Sequence, residues 1–554
     1  MSETDKAPDP TVPKRRIWPF VAVAAVAAVV TAGLAFLIGS ISDNKSNAYV
    51  GTYDRVVALD GSSYAASEWG KNFPVQYDAF RATAQLTSDA HVPAWQPISE
   101  EERTTLPAVA PDAPAPDPVT YDDARSTLPG KYGDTTPANS NLSSLVTPSK
   151  LVEDPRLKTL WNGYAFAKDY RHLRGHEYGL IDQQQTLRVL ALADGPAPQP
   201  GACSNCHASL PPIVDQLAGT SDGTGLNEAG WAAMNVMPYT ELANTIESDH
   251  LTAVSCIDCH DPETMKLRIT RPALVQAMKD LKGDQSYDVN KDATNQELRA
   301  LVCAQCHVEY YFKGPEKTLT FPWHNGTDIN GAWTYYQNVE ITGADGTVTT
   351  GFTDFKSGIS GASVVKAQHP EYEAWDQSVH AANGVTCADC HMYYVREGGQ
   401  KVSNHQVASP MASPDSINAS CGTCHPGSTE ALQNRVTSIQ STFTDSRNRV
   451  MDAVAGEFGL INSLKAAQDD GVDPDRIALA QQYANFANFY VDYAYSENSY
   501  GFHAPDYFQR ILNQSLDAAR NGQLALLGVP ADRLVPLKDL NADRSSHHDE
   551  ATEG

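Results

Sequence analysis

Every cysteine of the chain falls in one five-residue cassette, Cys-x-x-Cys-His, and the cassette occurs five times. The five are Cys203/Cys206/His207, Cys256/Cys259/His260, Cys303/Cys306/His307, Cys387/Cys390/His391 and Cys421/Cys424/His425. Chance would supply on the order of 0.005 such cassettes in a chain of this composition. Two thiols three residues apart can reach the two vinyl groups of one haem, and the adjacent imidazole then falls beneath the iron. This is the attachment signal of c-type haem, with histidine as an ordinary axial ligand. Five covalent haems c are therefore expected, with no thiol left for a disulfide. Haems, rather than packed side chains, are expected to supply much of the interior around the cassettes.

Other readings of the cysteines fit less well. Zinc ribbons pair two Cys-x-x-Cys knuckles but do not demand histidine next to each. Thioredoxin-like pairs occur singly within a βαβ pattern. The cassettes lie about 35 to about 85 residues apart without a fixed period, so the chain is not a solenoid. The 41 Lys+Arg against 67 Asp+Glu, a net charge of −26, exclude a general nucleic-acid binder.

Ile17 to Ile41 carry no charged side chain and follow Lys14-Arg15-Arg16. The stretch is long enough to span a bilayer, and the basic flank keeps the N-terminus in the cytoplasm. An uncleaved single-pass anchor is expected, with 1–16 cytoplasmic and the catalytic body on the extracytoplasmic side. The alternative is a cleaved signal peptide. Residues 42–60 read as a tether and 61–428 as a pentahaem body. Within it, 89–120 is an acidic insertion with seven prolines between Pro93 and Pro118. Residues 429–528 are helical in pattern. Asp473-Pro474 opens one helix, and Ile477, Ala480, Ala484, Ala487, Val491 and Ala494 recur on it, with Phe486, Phe489, Tyr490 and Tyr493 widening the apolar surface. That surface points to packing or a subunit interface. Residues 529–554 read as a frayed polar tail in which His547-His548 bind nothing.

Sixteen histidines are present, and five belong to cassettes. A bis-histidine haem needs a second imidazole, whereas a catalytic haem must leave that position open. His176, His380, His405 and His503 sit in distinct settings, but counting alone cannot select them. His91, His172, His250 and His324 take the bland reading.

Longer blocks make the selection. Cys303-Ala304-Gln305-Cys306-His307-Val308-Glu309-Tyr310-Tyr311-Phe312, Leu160 through Tyr170, Arg174-Gly175-His176, Thr186-Leu187-Arg188, Lys366-Ala367-Gln368-His369-Pro370 and Phe502-His503-Ala504-Pro505 are the blocks concerned. In these blocks the chain resembles the pentahaem, ammonia-forming cytochrome c nitrite reductases, over roughly residues 61 to 528. The resemblance implies a mainly α, multihaem cytochrome c fold with few short strands and long C-terminal helices, besides the N-terminal transmembrane helix. It implies that the haem on Cys203 and Cys206 is catalytic, with Arg188, Tyr310 and His369 on its distal side. It implies a Ca²⁺ held by Glu309, Gln368 and the main-chain carbonyls of Tyr310 and Lys366, donors that suit a hard cation. His405, His176, His503 and His380 would be the distal ligands of the second, third, fourth and fifth haems.

The implied reaction is six-electron reduction of nitrite to ammonium. Arg188 would hold the anion, and His369, expected to titrate near neutrality, and Tyr310 would handle protons. The implied partners are a membrane tetrahaem quinol dehydrogenase as electron donor and a second copy of the chain, joined through the C-terminal helices. One departure stands out: most relatives of this type carry lysine where this chain has His207. Two rivals remain at this level, a non-catalytic multihaem electron carrier and a related hydroxylamine or sulfite reductase.

Overall fold

The computed structural model describes residues 55–85, 149–190 apart from 173 and 185, 199–397, 400–466 and 473–541, besides Thr31. The apolar segment Ile17–Ile41 (Thr31 apart), the insertion at 89–120, His91 and His547-His548 lie outside them. Among the described residues, no helix is long and apolar enough to cross a membrane. From Arg55 onward the described residues form one compact unit.

The fold is mainly helical. The longer helices include α1 (Leu210–Ala218), α2 (Pro272–Lys282), α3 (Asn295–Ala304), α4 (Ile329–Asn338), α5 (Thr429–Ala466), α6 (Pro474–Ser496) and α7 (Pro505–Leu526). Among the described residues, strands are short and pair only as antiparallel hairpins: β1 (Tyr311–Lys313) with β2 (Thr318–Thr320), β3 (Glu340–Thr342) with β4 (Val348–Thr350), β5 (Phe355–Lys356) with β6 (Ser363–Val364), and β7 (Tyr394–Glu397) with β8 (Gln400–Ser403). Phe312 stands opposite Leu319, and Tyr394 opposite Ser403.

The cassettes are themselves helical turns. The main-chain N–H groups of His260, His307 and His425 donate to the carbonyls of Cys256, Cys303 and Cys421 at 2.9, 3.0 and 2.9 Å. Residues three apart on a helical turn share a face, which aims both thiols the same way. Local capping starts these turns where the sequence requires. Ser255 with Asp258 and Thr386 with Asp389 form capping boxes on two cassettes, and Thr294 with Glu297 caps α3, whose last turn carries Cys303.

The largest apolar core surrounds α5, α6 and α7. On α5 the buried positions are Val436, Phe443, Val450, Met451, Val454, Phe458 and Ile461, a helical stripe. Asp473 caps α6 by accepting from the Asp475 N–H, with Pro474 at the first helical position. Phe486 stacks on Tyr490 with centroids 4.0 Å apart, and Trp333 of α4 packs edge-on against Phe486 at 5.0 Å. The aromatic surface of α6 is therefore used inside the chain: Phe486, Phe489, Tyr490 and Tyr493 are all fully buried. Of the two uses expected for it, packing is the one observed.

Two boundaries differ from expectation. Residues at the end of the expected tether are docked: Leu59 is buried, and Asn72 bonds the main chain of Val56 and Val57. The expected frayed tail is packed as far as Asn541. Leu534 and Leu540 are buried, and Asn541 accepts from the Tyr490 hydroxyl at 2.6 Å. Leu534, Leu537 and Leu540 recur every third residue, a short apolar pattern that the frayed-tail reading passed over, and Leu537 packs against the same core. Leu540→Ala is expected to lower unfolding free energy by roughly 2–5 kcal/mol, read as a reduced denaturant midpoint of the haem-loaded protein.

Candidate active site

The polar residues inside the cassettes wire them to one another. Asn205 Nδ2 donates to the Gln305 carbonyl at 3.2 Å. Arg271, 1% exposed, donates from Nε to the Asn205 carbonyl at 3.0 Å, from one terminal nitrogen to the Ala208 carbonyl, and from the other to Asp258. Gln305 Nε2 donates to the Asp258 carbonyl at 3.2 Å. The first three cassettes are thus one hydrogen-bonded block. The Cys206 side chain meets that of Cys306, and Cys303 meets Cys387, so the third cassette adjoins both the first and the fourth. All ten cysteines are free of disulfides.

The fifth cassette differs from the other four in exposure. Cys424 is exposed, whereas the other nine cysteines, Cys421 included, are half-buried. The reason is position. The turn from Gly422 to Ser428 is exposed throughout, and it leads directly into α5, which begins at Thr429. Cys424 sits on that outer turn, while Cys421 is tied inward by its N–H to the Ile417 carbonyl at 2.8 Å. Thioether attachment requires that both thiols reach one porphyrin and does not require burial, so the cassette chemistry stands. The fifth cassette is the peripheral one of the set.

Four pairs of histidines face each other at one spacing. His260–His405, His176–His307, His391–His503 and His380–His425 all have ring centroids 6.2 Å apart. An iron midway between two such rings stands about 3 Å from each centroid, which is one metal–nitrogen bond of roughly 2 Å plus the radius of an imidazole. The Nδ1 atoms of several are engaged elsewhere. Those of His260, His391 and His405 face the carbonyls of Met265, Ala408 and Ser403 at 3.0, 3.1 and 2.8 Å. This fixes the tautomer that leaves Nε2 as a lone-pair donor. Burial also pushes His176, His391 and His405 down to about 4, so they are neutral, as a ligand must be. The residues fit four bis-histidine haems.

His207 differs. Its Nδ1 faces the Gly179 carbonyl at 3.1 Å. Among the described residues no second imidazole stands at the pair distance from its ring. Its cassette borders a cavity instead, lined by Cys203, His207, Arg188, Tyr310 and His369, together with Phe166. The three expected distal residues are therefore brought together beside the first cassette. Arg188 donates to the Asp169 carbonyl at 2.7 Å, and its guanidinium lies 4.3 Å from the Phe166 ring centroid. Burial holds the Tyr310 phenol well above its ordinary pKa, so it keeps its proton.

His369 corrects an expectation. Burial pushes it down to about 3, despite the opposing pull of Glu371, so it does not titrate near neutrality. Its sequence setting, a residue before proline, carries no sign of this.

Three of the four expected calcium ligands, Glu309, Gln368 and the Lys366 carbonyl, converge. Glu309 accepts the Gln368 N–H at 2.6 Å and the Tyr336 hydroxyl at 2.8 Å, and Gln368 Nε2 donates to the Lys366 carbonyl at 3.1 Å. Burial raises the Glu309 carboxyl to about 8. A divalent cation is the partner that would keep so buried a carboxylate ionised, so the donor set fits Ca²⁺. The Lys366 ammonium points away, to Asp492 at 3.2 Å and Ser496 at 3.0 Å. Asp492, on α6, also accepts from Trp161 Nε1 and the Ala367 N–H at 3.2 and 3.1 Å. This carboxylate anchors the Lys366–His369 segment, and sequence reading missed it. It also missed Asp354, which accepts the Lys366 N–H at 2.8 Å, and the cassette residues Asn205, Asp258 and Gln305. His250 and His324 meet Gln216 and Asp280, in keeping with bland roles.

The fold and site define a multihaem cytochrome c. The family model described as cytochrome c552 matches residues 65–551. Cytochrome c-552 of Parabacteroides distasonis is 37% identical over 415 residues, covering 73% of this chain and 76% of the relative. The cytochrome c nitrite reductase subunit NrfA of Nitratidesulfovibrio vulgaris is 34% identical over 433 residues, covering 76% and 77%. Among solved structures, the catalytic subunit of the Desulfovibrio desulfuricans cytochrome c nitrite reductase, described with two calcium sites, matches with a TM-score of 0.65 and 26% identity over 88% of this chain and 90% of that one. The chain belongs to the cytochrome c552 family.

Two outcomes follow from the geometry. Wild-type protein should show one high-spin and four low-spin ferric haems by electron paramagnetic resonance, and His405→Ala should add a second high-spin signal while keeping all five haems. His369 is neutral in the fold, whereas an unfolded chain takes up its proton below about pH 6.5. Stability should therefore fall as pH drops from about 6.5, and His369→Asn should make that slope shallower in denaturant titrations.

Proposed function

We propose that the chain reduces nitrite to ammonium at the haem of the first cassette, fed by four bis-histidine haems. One observation carries this reading: four cassette histidines each face a second imidazole at 6.2 Å, while the fifth, His207, borders a cavity holding Arg188, Tyr310 and His369. A pure electron carrier has no use for that asymmetry. The family membership and the likeness to named nitrite reductases support the same substrate.

The haem that Cys203, Cys206 and His207 would hold would supply the electrons for the reduction. The protein side is a matter of charge and protons. Arg188 is held by the Asp169 carbonyl and the Phe166 ring, so its remaining N–H groups are preorganised for an anion. Tyr310 retains a proton that it can donate. His369, neutral and buried, can donate or accept a hydrogen bond at one ring nitrogen without adding charge. Glu309, Gln368 and the carbonyls of Tyr310 and Lys366 would hold Ca²⁺, whose field offsets the acidity of the chain near the cavity.

The wider setting belongs to the same proposal. Ile17–Ile41 anchors the chain in the cell membrane, with the haem body on the extracytoplasmic side. A membrane tetrahaem quinol dehydrogenase donates electrons. Two copies pair through the C-terminal helices, where Leu524 and Leu527 near the end of α7 are exposed; the aromatic face of α6 is not available for this.

With a reduced viologen as donor, purified holoprotein should form ammonium from nitrite stoichiometrically. Arg188→Ala should lower kcat by about 10²-fold, the cost of removing one preorganised donor, with all five haems retained. No ammonium, together with five low-spin haems, would establish the electron-carrier reading instead.

A further inference from the structure

The Nδ1 partners of the ligand histidines are of two chemical kinds. His207, His260, His391 and His405 face main-chain carbonyls. His503 and His307 face carboxylates. Nδ1 of His503 lies 2.6 Å from Oε1 of Glu497, and Nδ1 of His307 lies 3.8 Å from Oε2 of Glu371. Glu497 is 2% exposed and Glu371 9%.

Both carboxylates are set by three consecutive residues just beyond α6. Glu497 is the first. Asn498 Nδ2 donates to Oε1 of Glu371, and its own Oδ1 accepts from Lys150 at 3.3 Å. The Ser499 hydroxyl donates to Oε2 of Glu497 at 2.8 Å and accepts the His503 N–H at 2.9 Å. One turn of chain thus fixes the groups behind a ligand of the third haem and a ligand of the fourth. These two cassettes are neighbours through Cys303 and Cys387.

We propose that Glu371 and Glu497, positioned by the Glu497–Asn498–Ser499 turn, hold the third and fourth haems at lower reduction potential than the second, whose two ligands face only carbonyls. A carboxylate behind an imidazole raises its basicity, and a buried negative charge stabilises the ferric over the ferrous state. Neither effect is strongly screened at these burials. Electrons arriving on this central pair are then passed on rather than stored, and the third cassette is the one in contact with the first through Cys306 and Cys206.

The inference rests on haem attachment at the cassettes, and its test contains no nitrite, so it stands or falls separately from the proposed reaction. Potentiometric titration of the holoprotein followed by electron paramagnetic resonance assigns a potential to each low-spin haem. Glu497→Gln should shift the His391/His503 haem upward. Glu371→Gln should shift the His176/His307 haem upward by less, because its separation is longer. The His260/His405 haem should not move in either variant. Fully loaded Glu497→Gln protein with an unmoved fourth haem would overturn the proposal. If that variant fails to load, the wild-type protein decides: a second haem with a potential below those of the third and fourth would overturn it as well.

Discussion

The structure is built around a fixed gap between paired imidazoles. Four times, two rings from distant parts of the chain are held 6.2 Å apart by main-chain carbonyls, carboxylates and short capped turns. A gap of that size between two imidazoles suits the axial coordination of a metal between them. The chain as a whole need not be strongly hydrophobic, because much of the interior belongs to the cofactors. The short helices and two-stranded hairpins of 149–428 follow from this: each segment is shaped to present one ligand or one wall, and none is long enough to make a core alone.

The exception to the pairing gives the molecule its chemistry. His207 has Arg188, Tyr310 and His369 in the cavity beside its cassette. The segment that carries His369 is not held locally. Asp492, from the buried helix α6, gathers Lys366, Ala367, Trp161 and Ser496. The C-terminal helices are therefore part of the catalytic scaffold. The chain has a net charge of −26, and an anionic substrate must cross that field. On the proposed reading, a fixed guanidinium and the calcium that Glu309 and Gln368 would hold are local remedies for a global repulsion.

What was legible in the sequence follows the range of the interaction. Cassettes, caps and the stripe of α6 are encoded within a few residues, and Asp473-Pro474 begins a helix where its chemistry says it should. The docking of Leu59, Leu534 and Leu540 was not legible, because apolar runs this short beside polar residues do not show whether the chain packs there. The low pKa of His369 comes from burial among residues far away in sequence. The exposure of Cys424 was hidden as well: all five cassettes read alike, and only packing separates an inner turn from an outer one. The roles of Asn205, Asp258 and Gln305 were hidden for a related reason. They occupy the variable positions of the cassettes, and their partners are other cassettes.

The sequence by itself indicated the cofactor chemistry: covalent haem c, with the thiols and proximal histidines that the five cassettes point to. Covalent attachment needs only neighbours in the chain, so its signal is local and unambiguous. Through resemblance it also proposed the distal partners. Only the tertiary structure decided which imidazoles stand opposite one another, which cassette borders a cavity, which lies at the periphery, and which ligands have a carboxylate behind them. Those are relations between segments up to hundreds of residues apart, and they are set by packing that no local pattern records.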